Sequence, residues 1–510
     1  MPRQTITLGG SPITESALVA VARDGAPVEL SADVVEVLGK ARAHVDQLAA
    51  GSTPSYGIST GFGALANRHI PVESRAQLQR SLVRSHAASS GTPVEAEVVR
   101  GMALLRLQTM ATGRTGVRPD TARAYAELLN AGITPVVREY GSLGCSGDLA
   151  PLAHVALAVM GEGTVVLDGI EMEAWEALAH KGIQPQELAE KEGLALINGT
   201  DGMLAMLMLA CHDLGALLKV ADVTASMSVE ALLGTDRTLA QDLMALRPHP
   251  GQQASAANMR RVLDGSPIVA SHAGPEDTRV QDAYSLRCAP QVAGAARDTL
   301  DHARLVAARE AAATIDNPVL LPDGRIESNG NFHGAPLGYV LDFLAIAVAD
   351  VASISERRTD RMLDKNRSFG LPPFLAHDPG VDSGLMIAQY TQAGIVSELK
   401  RIAAPASVDS IPSSAMQEDH VSMGWSAGRK LRRAIDGLSR VLAIEALTAA
   451  RALQLRAPLR PAAATHAAVE VIGHEPGTDR FLSPDIEHTV ALVQSGALLA
   501  AVEVVTGGLD

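Results

Sequence analysis

Three consecutive small residues, Cys145-Ser146-Gly147, have the types and the order that an internal ring closure of the backbone requires. Attack of the Gly147 amide nitrogen on the Cys145 carbonyl carbon, with loss of water, would leave a five-membered ring. Loss of the Ser146 hydroxyl would then create an exocyclic methylidene, which is an electrophile. Glycine suits the third position because, without a Cβ, its nitrogen can approach a carbonyl that ordinary sterics keep away.

The surrounding stretch, GSLGCSGDLAPLAH at residues 141–154, is also compatible with a plain turn that leads into a helix. Ser146 or Asp148 could cap that helix, and Pro151 is acceptable in a first turn. The Cys145 side chain takes no part in the ring closure, and we expect it to be a small buried thiol.

Other catalytic motifs fit the chain less well. A nucleophile elbow requires G-x-S-x-G, and residues 144–148 have Asp148 where the last glycine belongs. A dinucleotide fingerprint fails after Gly61-Phe62-Gly63, and no HExxH occurs. The three cysteines are too scattered for a disulfide framework or a CxxC metal site. The sequence therefore predicts no nucleotide cofactor and no required metal.

The elements that position these residues are expected to be helices. Aromatic residues make up only 3% of the chain, so Ala, Leu, Val and Ile must fill the core, which is typical of packed helices. We predict a mainly α protein, with a helix-and-loop domain over residues 1–220 and a helical bundle over 221–510, acting as one functional unit. Residues 249–280 are polar and broken by prolines, and they predict a long, partly mobile loop of the kind that forms lids. Two core stripes of the bundle recur at helical spacing: Val340, Leu344, Val348 and Val351, and Leu431, Ile435, Leu438 and Leu442.

The charge balance limits the class of partner. The net charge is −14 with no basic block, which argues against nucleic acid or an anionic membrane. The apolar run at residues 17–22 is too short for a secretory core, and Asp342 and Asp350 interrupt the first bundle stripe. We expect a cytoplasmic protein with no membrane partner.

GSLGCSGDLAPLAH resembles the cofactor motif of the aromatic amino-acid ammonia-lyases. Further stretches resemble motifs of that family and occur in its order: YGISTGFG (56–63), RSHAA (84–88), LINGTDG (196–202), VQDAYSLRC (280–288), ESNGNFHG (327–334) and SAMQEDHVSMG (414–424). The resemblance covers most of the chain, although the helical tail matches only in general character. It implies an ammonia-lyase/fumarase-like fold and a homotetramer whose active sites are completed by neighbouring subunits.

The resemblance also implies that Cys145, Ser146 and Gly147 form the family's 4-methylideneimidazole-5-one group (MIO), with no pyridoxal phosphate. The family more often has alanine at the first ring position. Since only the backbone of Cys145 reacts, we expect the ring to form.

The resemblance assigns several roles near this group. Tyr56 is the acid-base residue, Tyr284 is a second catalytic tyrosine, and which of them removes the β-proton stays open. Asn198 contacts the substrate carboxylate or amine, or caps a loop. Phe332 lines the ring and assists its formation, and Asp148 supports ring closure, caps a helix, or does both.

Gln281, Tyr284 and Arg287 stand at positions i, i+3 and i+6, so on a helical turn they could face one pocket. Arg287 can hold the substrate carboxylate with its bidentate fork. A salt bridge from Arg287 to Asp282 or Asp301 is the alternative.

Substrate choice is indicated by two departures from the family members that act on phenylalanine and tyrosine. Those members tend to have Phe-Leu or His-Leu where this chain has Ser85-His86, and Gln where it has Glu418. His86 and Glu418 could hydrogen-bond an imidazole, whereas a benzene ring would leave both unsatisfied. Asp419 and His420 are expected to be structural. L-Histidine, converted to trans-urocanate and ammonia in the first step of histidine breakdown, is therefore the expected substrate.

Three alternatives remain open at this stage. A tyrosine or phenylalanine ammonia-lyase, or an aminomutase on the same group, is disfavoured by His86 and Glu418. A fumarase- or aspartase-type enzyme would need GSSxMPxKxN, which IPSSAMQEDH at residues 411–420 does not match. The third is an inactive helical scaffold that kept the fold, which an unmodified peptide over Cys145–Gly147 would reveal.

Overall fold

The structure, a computed structural model, describes residues 4–51, 60, 70–274, 279–475 and 477–510. Helices dominate these residues, which confirms the prediction of a mainly α protein. In chain order the helices are α1 (Glu15–Ala22), α2 (Ala32–Ala50), α3 (Val72–His86), α4 (Ala96–Ala111), α5 (Pro119–Asn130), α6 (Leu149–Val159), α7 (Ala174–Lys181), α8 (Glu192–Ala195), α9 (Asp201–Ala231), α10 (Gln241–Ala245), α11 (Pro250–Val262), α12 (Pro267–Ala270), α13 (Tyr284–Arg287), α14 (Ala289–Ala311), α15 (Ala335–Leu363), α16 (Met386–Ile402), α17 (Gly424–Gln454), α18 (Ala463–Ile472), α19 (Ser483–Gln494) and α20 (Ala497–Thr506).

The described strands are short and form small sheets. They are β1 (Ile6–Leu8), β2 (Val28–Leu30), β3 (Ser90–Pro93), β4 (Thr134–Pro135), β5 (Arg138–Tyr140), β6 (Thr164–Leu167), β7 (Ile170–Glu173), β8 (Val319–Leu320) and β9 (Ile326–Glu327). β1 and β2 pair in parallel, and the antiparallel sheets are β3–β5, β4–β6–β7 and β8–β9. Because Ser90 pairs with Tyr140, the β3–β5 ladder fixes the backbone directly before the loop 141–148.

The chain forms two compact units, each assembled from three stretches. The first unit comprises Met1–Cys211, Ala303–Asp342 and Pro405–Arg429; the second comprises His212–His302, Phe343–Ala404 and Lys430–Asp510. The sequence suggested a single boundary near residue 220, whereas boundaries between the units also fall inside α14, α15 and α17. A boundary inside a helix leaves no local signal, because the helical periodicity continues through it.

The two predicted bundle stripes lie on α15 and α17, and all of their apolar side chains are buried. Asp342, which interrupts the stripe on α15, is buried, and its carboxylate accepts a hydrogen bond from the Ser407 backbone nitrogen at 2.7 Å. A charged residue inside an apolar periodic run therefore marks a buried hydrogen bond here.

The prediction of a long loop over residues 249–280 is wrong for most of its length. Pro250 and Pro267 each stand in the first turn of a helix, α11 and α12, where a missing backbone N–H costs nothing. Ser266 caps α12 by accepting from the Val269 nitrogen at 3.1 Å. Prolines that read as helix breakers in the sequence are helix starts in the structure.

Two of the described helices, α9 and α15, are long and apolar enough to cross a membrane by length and composition alone. Within the protein, 72% of the most apolar stretch of α9 and 61% of that of α15 is buried. Packing inside the protein therefore accounts for their composition.

The second unit holds a buried carboxylate at the centre of its helices. Glu445 on α17 accepts hydrogen bonds from Thr224 at 2.9 Å, Ser228 at 2.7 Å and Ser355 at 2.6 Å. Arg358 on α15 donates to the same carboxylate at 2.9 Å, and both charged side chains are almost fully buried. The network joins α9, α15 and α17, and it is tolerable in the core because the charge is paired and fully hydrogen-bonded.

Replacing Arg358 by leucine leaves the Glu445 carboxylate buried without a counter-ion. We expect the free energy of unfolding to fall by about 3–5 kcal/mol. The matched control is Arg367→Leu, since Arg367 pairs with Asp360 and Asp364 but is 40% exposed; that change should cost less than about 1 kcal/mol. Urea unfolding followed by circular dichroism measures both, and equal losses would contradict the role given to the buried pair.

Candidate functional site

At two positions of the loop 141–148, Gly144 and Gly147, the surrounding atoms leave little or no room for a side chain. Gly147 has φ +75°, and a Cβ built on it would lie 2.1 Å from the carbonyl oxygen of Gly199. Gly144 has φ +65°, and its Cβ would lie 2.3 Å from the Ser422 Oγ. The collision at Gly147 is with backbone, so the packing excludes any side chain there, whereas a side chain at Gly144 would require the Ser422 hydroxyl to move.

Segments from later in the chain hold the loop on its entry side. The Gly144 carbonyl accepts hydrogen bonds from the Gly334 nitrogen at 3.0 Å and the Ser422 Oγ at 2.7 Å. The Met423 nitrogen donates to the Leu143 carbonyl at 2.9 Å. The stretches ESNGNFHG and SAMQEDHVSMG, which the sequence singled out, thus end directly against the loop.

Asp148 holds the exit side. Its nitrogen donates to the Gly199 carbonyl at 2.7 Å, and its buried carboxylate accepts from the Ser142 Oγ and the Met203 nitrogen, each at 2.9 Å. Burial raises the pKa of Asp148 to about 7, and the hydrogen bonds from Met203 and Ser142 oppose that shift. The Asp148 carboxyl group therefore changes its protonation state near pH 7.

The capping role predicted for Asp148 is wrong for the helix that follows it. The helix α6 has no side-chain cap, and neither Ser146 nor Asp148 provides one. Asp148 accepts instead from Met203 in the first turn of α9, more than fifty positions away in the chain. Local spacing cannot reveal a cap that comes from a different segment.

A buried arginine supports the segment LINGTDG below the loop. Arg106 on α4 is fully buried and donates to the carbonyls of Asn198 and Ile315, each at 2.7 Å. It also pairs with the Asp201 carboxylate at 3.4 Å. Burial raises the pKa of Asp201, and the charge of Arg106 opposes the increase. We missed Arg106 in the sequence, although an arginine inside the apolar run of α4 was a usable signal.

A second buried ion pair lies within electrostatic range of the first. The side chains of Lys191 and Asp316 are both fully buried, and the Lys191 Nζ lies 2.6 Å from the Asp316 Oδ2. Burial lowers the pKa of Lys191, and the charge of Arg106 lowers it further, while Asp316 opposes both. Asp316 in turn raises the pKa of Asp201. Four buried charged groups therefore interact with one another near the backbone of Asn198: Arg106, Asp201, Lys191 and Asp316.

Glu418 lies near the ring-forming residues. Cys145 and Ser146 are half-buried, and both burial and the charge of Glu418 raise the pKa of the Cys145 thiol. The Glu418 Oε2 is buried without a hydrogen-bond partner among the described residues. A carboxylate oxygen in that state is an acceptor that awaits a donor.

His86 is the last residue of α3, and its Nδ1 lies 2.9 Å from the Leu82 carbonyl and 3.1 Å from the Ser85 Oγ. The hydrogen bond to the carbonyl, which can only accept, assigns the hydrogen to Nδ1. Burial lowers the pKa of His86, which favours the neutral imidazole. The Nε2 of His86 is therefore an acceptor.

Asn198 and Phe332 are placed as follows. Asn198 is 4% exposed, and its side-chain Oδ1 has no hydrogen-bond partner in the described part of the chain, so this oxygen caps no described loop. Phe332 is half-buried, two residues before the Gly334 that donates to the loop. His420, expected to be structural, stacks on His333 with ring centroids 5.7 Å apart.

Gln281, Tyr284 and Arg287 lie in the second unit. Only Tyr284 and Arg287 are helical, in the single turn of α13, yet all three line one cavity of about 440 Å³. The Arg287 guanidinium lies over the Tyr284 ring at 4.6 Å, and Tyr284 is 70% exposed. Among the described residues Arg287 forms no ion pair with Asp282 or Asp301, and its Nε has no hydrogen-bond partner. The salt-bridge alternative is therefore wrong.

Tyr56 and almost all of YGISTGFG lie outside the described residues. In the part of the chain that is described, no group of three or more His, Cys, Asp or Glu side chains is arranged to hold a metal ion. The structure thus brings together the loop predicted to form the ring, Asp148 and Glu418, and the second unit contains the cavity lined by Arg287.

Comparisons of the whole chain with known proteins give several matches. Residues 13–474 match the family model described as aromatic amino acid lyase. The chain is 64% identical to a histidine ammonia-lyase of Streptomyces avermitilis and 49% identical to one of Symbiobacterium thermophilum, with 98–99% of each chain covered. A solved tyrosine aminomutase of Streptomyces globisporus superposes with TM-score 0.93 at 36% identity, covering 99% of this chain and 100% of that one. A histidine ammonia-lyase structure from Trypanosoma cruzi gives TM-score 0.90 at 36% identity, covering 98% and 95%.

The packing at Gly147 predicts the effect of adding one methyl group. Gly147→Ala should lower the free energy of unfolding by more than about 3 kcal/mol, because a strained φ and a collision with the Gly199 carbonyl act together. Gly132→Ala is the matched control, with φ +70° and no atom within 4 Å of the added Cβ; strain alone should cost it about 1–2 kcal/mol. Urea unfolding compares the two, and a Gly147→Ala loss no larger than the control's would refute the collision.

Proposed function

The chain belongs to the aromatic amino acid lyase family, and from that premise we propose that it removes ammonia from L-histidine to give trans-urocanate, the first step of histidine breakdown. The observation that carries the choice of substrate is 64% identity, over 99% of both chains, to histidine ammonia-lyases. The likeness to a tyrosine aminomutase is at 36% identity and reflects the shared fold.

We propose that Cys145, Ser146 and Gly147 form 4-methylideneimidazole-5-one. The residues fit this group: Gly147 is held with a positive φ in a cradle that a Cβ would fill, and Ser146 carries the hydroxyl to be lost. Once formed, the group supplies an electrophile for the substrate's amine, which turns a poor leaving group into a better one. Phe332 and Asp148 are proposed to support its formation, and the raised pKa of Asp148 suits it to hold or release a proton near pH 7.

The chain's own side chains are proposed to bind and orient the substrate and to remove its β-proton. Arg287 is proposed to hold the substrate carboxylate, since it lines a cavity and its Nε has no hydrogen-bond partner among the residues that the structure describes. Gln281 and Asn198 are proposed to orient the carboxylate or the amine. Tyr56 or Tyr284 is proposed to take the β-proton, which is only weakly acidic and needs a well-placed base.

Recognition of the imidazole is proposed to rest on two acceptors. His86 offers its Nε2, and Glu418 offers an Oε2 that no described group satisfies. A neutral imidazole has one N–H and can satisfy one of these acceptors, and an imidazolium has two and can satisfy both, whereas the benzene ring of phenylalanine has no donor and would leave a buried oxygen unpaired. This pairing argues against phenylalanine; against tyrosine, whose hydroxyl can donate, the support is the 64% identity to histidine ammonia-lyases.

We further propose a cytoplasmic homotetramer with active sites shared between subunits. The exposure of Tyr284 and Val280, at 70% and 96%, supports a role for this segment in contacts beyond its own chain. The net charge of −14 favours a small-molecule substrate over nucleic acid or an anionic membrane.

The purified protein should convert L-histidine to urocanate, followed by the absorbance of the product, and should act far less well on phenylalanine and tyrosine. Ser146→Ala removes the leaving hydroxyl, so it should abolish turnover while circular dichroism stays unchanged. Peptide masses over residues 145–147 should lack two waters in the wild type only. An active Ser146→Ala protein, or no urocanate from the wild type, would refute the proposal.

Glu418→Gln tests the imidazole contact. Loss of a charge-assisted hydrogen bond worth about 1.5–3 kcal/mol should lower kcat/KM for histidine about 10- to 150-fold. Asp419→Asn is the matched control, because Asp419 is exposed and adjacent in the chain; it should leave kcat/KM within about twofold. Steady-state kinetics with histidine compares the variants, and equal effects would argue against a specific contact by Glu418.

A further inference from the structure

Ser142 is a buried side chain near the start of the loop 141–148, and none of the roles above is assigned to it. Its Oγ accepts from the Gly144 nitrogen at 3.1 Å and lies 2.9 Å from the Asp148 Oδ1, to which it donates. The carbonyl of Gly147 lies 3.4 Å from the same oxygen. One hydroxyl therefore contacts the residue before the three ring residues, the last of them, and the residue after them.

The bonding capacity of a hydroxyl matches this position. A serine Oγ has one hydrogen to donate and lone pairs to accept with, so it can receive the Gly144 N–H and serve the Asp148 carboxylate at the same time. Alanine could do neither. Cysteine could do both only weakly, since a thiol is a poor donor and a poor acceptor.

The consequence is geometric. Gly144 is held by Gly334 and Ser422, and Asp148 is held by Gly199 and Met203. The Ser142 hydroxyl joins these two fixed ends directly, so the intervening residues are confined to a tight turn. Confinement of this kind raises the effective concentration of reacting atoms within one chain.

We propose that Ser142 is a positioning residue for ring closure, and this inference rests on the proposed function. In the closure, the Gly147 nitrogen bonds to the Cys145 carbonyl carbon. The carbonyl oxygen leaves as water with one hydrogen from the Gly147 nitrogen and one from the Ser146 nitrogen, which leaves a C=N bond. The Ser146 hydroxyl then leaves as a second water with the Ser146 α-hydrogen, which creates the methylidene. Both steps are dehydrations and require no oxidant.

Ser142 touches none of the atoms that form or break bonds in these steps. Its effect should therefore fall on how fast the ring forms and not on turnover by chains that already contain it. A merely structural serine would affect neither quantity separately from stability.

The test compares Ser142→Ala with Ser255→Ala, a matched change in the second unit. Ser255 is also buried, and it donates to the buried Asp222 carboxylate at 2.5 Å. Soluble, folded protein is sampled at intervals after a short induction, and the peptide over residues 145–147 is weighed. Ser142→Ala should form the dehydrated peptide about tenfold more slowly or worse, with turnover per dehydrated chain within about twofold of the wild type. Ser255→Ala should form it at the wild-type rate despite a comparable loss of thermal stability.

Two further variants keep the inference testable. Ser142→Thr retains the hydroxyl and should recover most of the rate, and Ser142→Cys keeps the volume with weak hydrogen bonding and should be slow even if Ser142→Ala fails to fold. A wild-type rate in Ser142→Ala or Ser142→Cys, or equal slowing in Ser255→Ala, would overturn the role of Ser142 alone. An undehydrated peptide in the wild type would instead overturn the proposed function, and this inference with it.

Discussion

The bond between the Asp148 carboxylate and the first turn of α9 is the constraint on which the site depends. It connects the loop 141–148 to the residue directly after the segment LINGTDG, and the Asp148 backbone nitrogen adds a hydrogen bond to Gly199 within that segment. Complete burial disfavours the Asp148 anion, the hydrogen bonds from Met203 and Ser142 favour it, and burial is the larger effect, so the pKa of Asp148 is raised to about 7.

The backbone that receives Asp148 is itself held by charge. Arg106 and Asp201, with Lys191 and Asp316 beside them, occupy positions where isolated charges would be very unfavourable. Burying pairs of this kind adds little net stability compared with an apolar core. Their contribution is to orientation, because Arg106 donates to the carbonyls of both Asn198 and Ile315 and so holds these two stretches of backbone together.

The sequence predicts features that depend on residues close together in the chain, and it does not predict features that depend on residues far apart. Helical stripes on α15 and α17 are local patterns, and they were predicted residue by residue. The loop was found because three adjacent residues carry the ring chemistry. Other features depend on residues that are far apart in the chain, and no local periodicity encodes them. They are the cap that Asp148 provides for α9, the hydrogen bond from Arg106 to Ile315, and the assembly of each unit from three stretches of sequence. The helices α11 and α12 were missed for a different reason, since a proline marks a helix start as readily as a break.

The cysteine at the first ring position is compatible with an electrophile forming beside it. Only a thiolate is strongly nucleophilic, and burial together with the charge of Glu418 raises the pKa of the Cys145 thiol. The side chain therefore stays protonated at neutral pH, where a thiolate would compete for a neighbouring methylidene. The carboxylate proposed to bind imidazole thus also disfavours the ionised form of this thiol, which could otherwise add to the proposed methylidene, and alanine at this position would need no such protection.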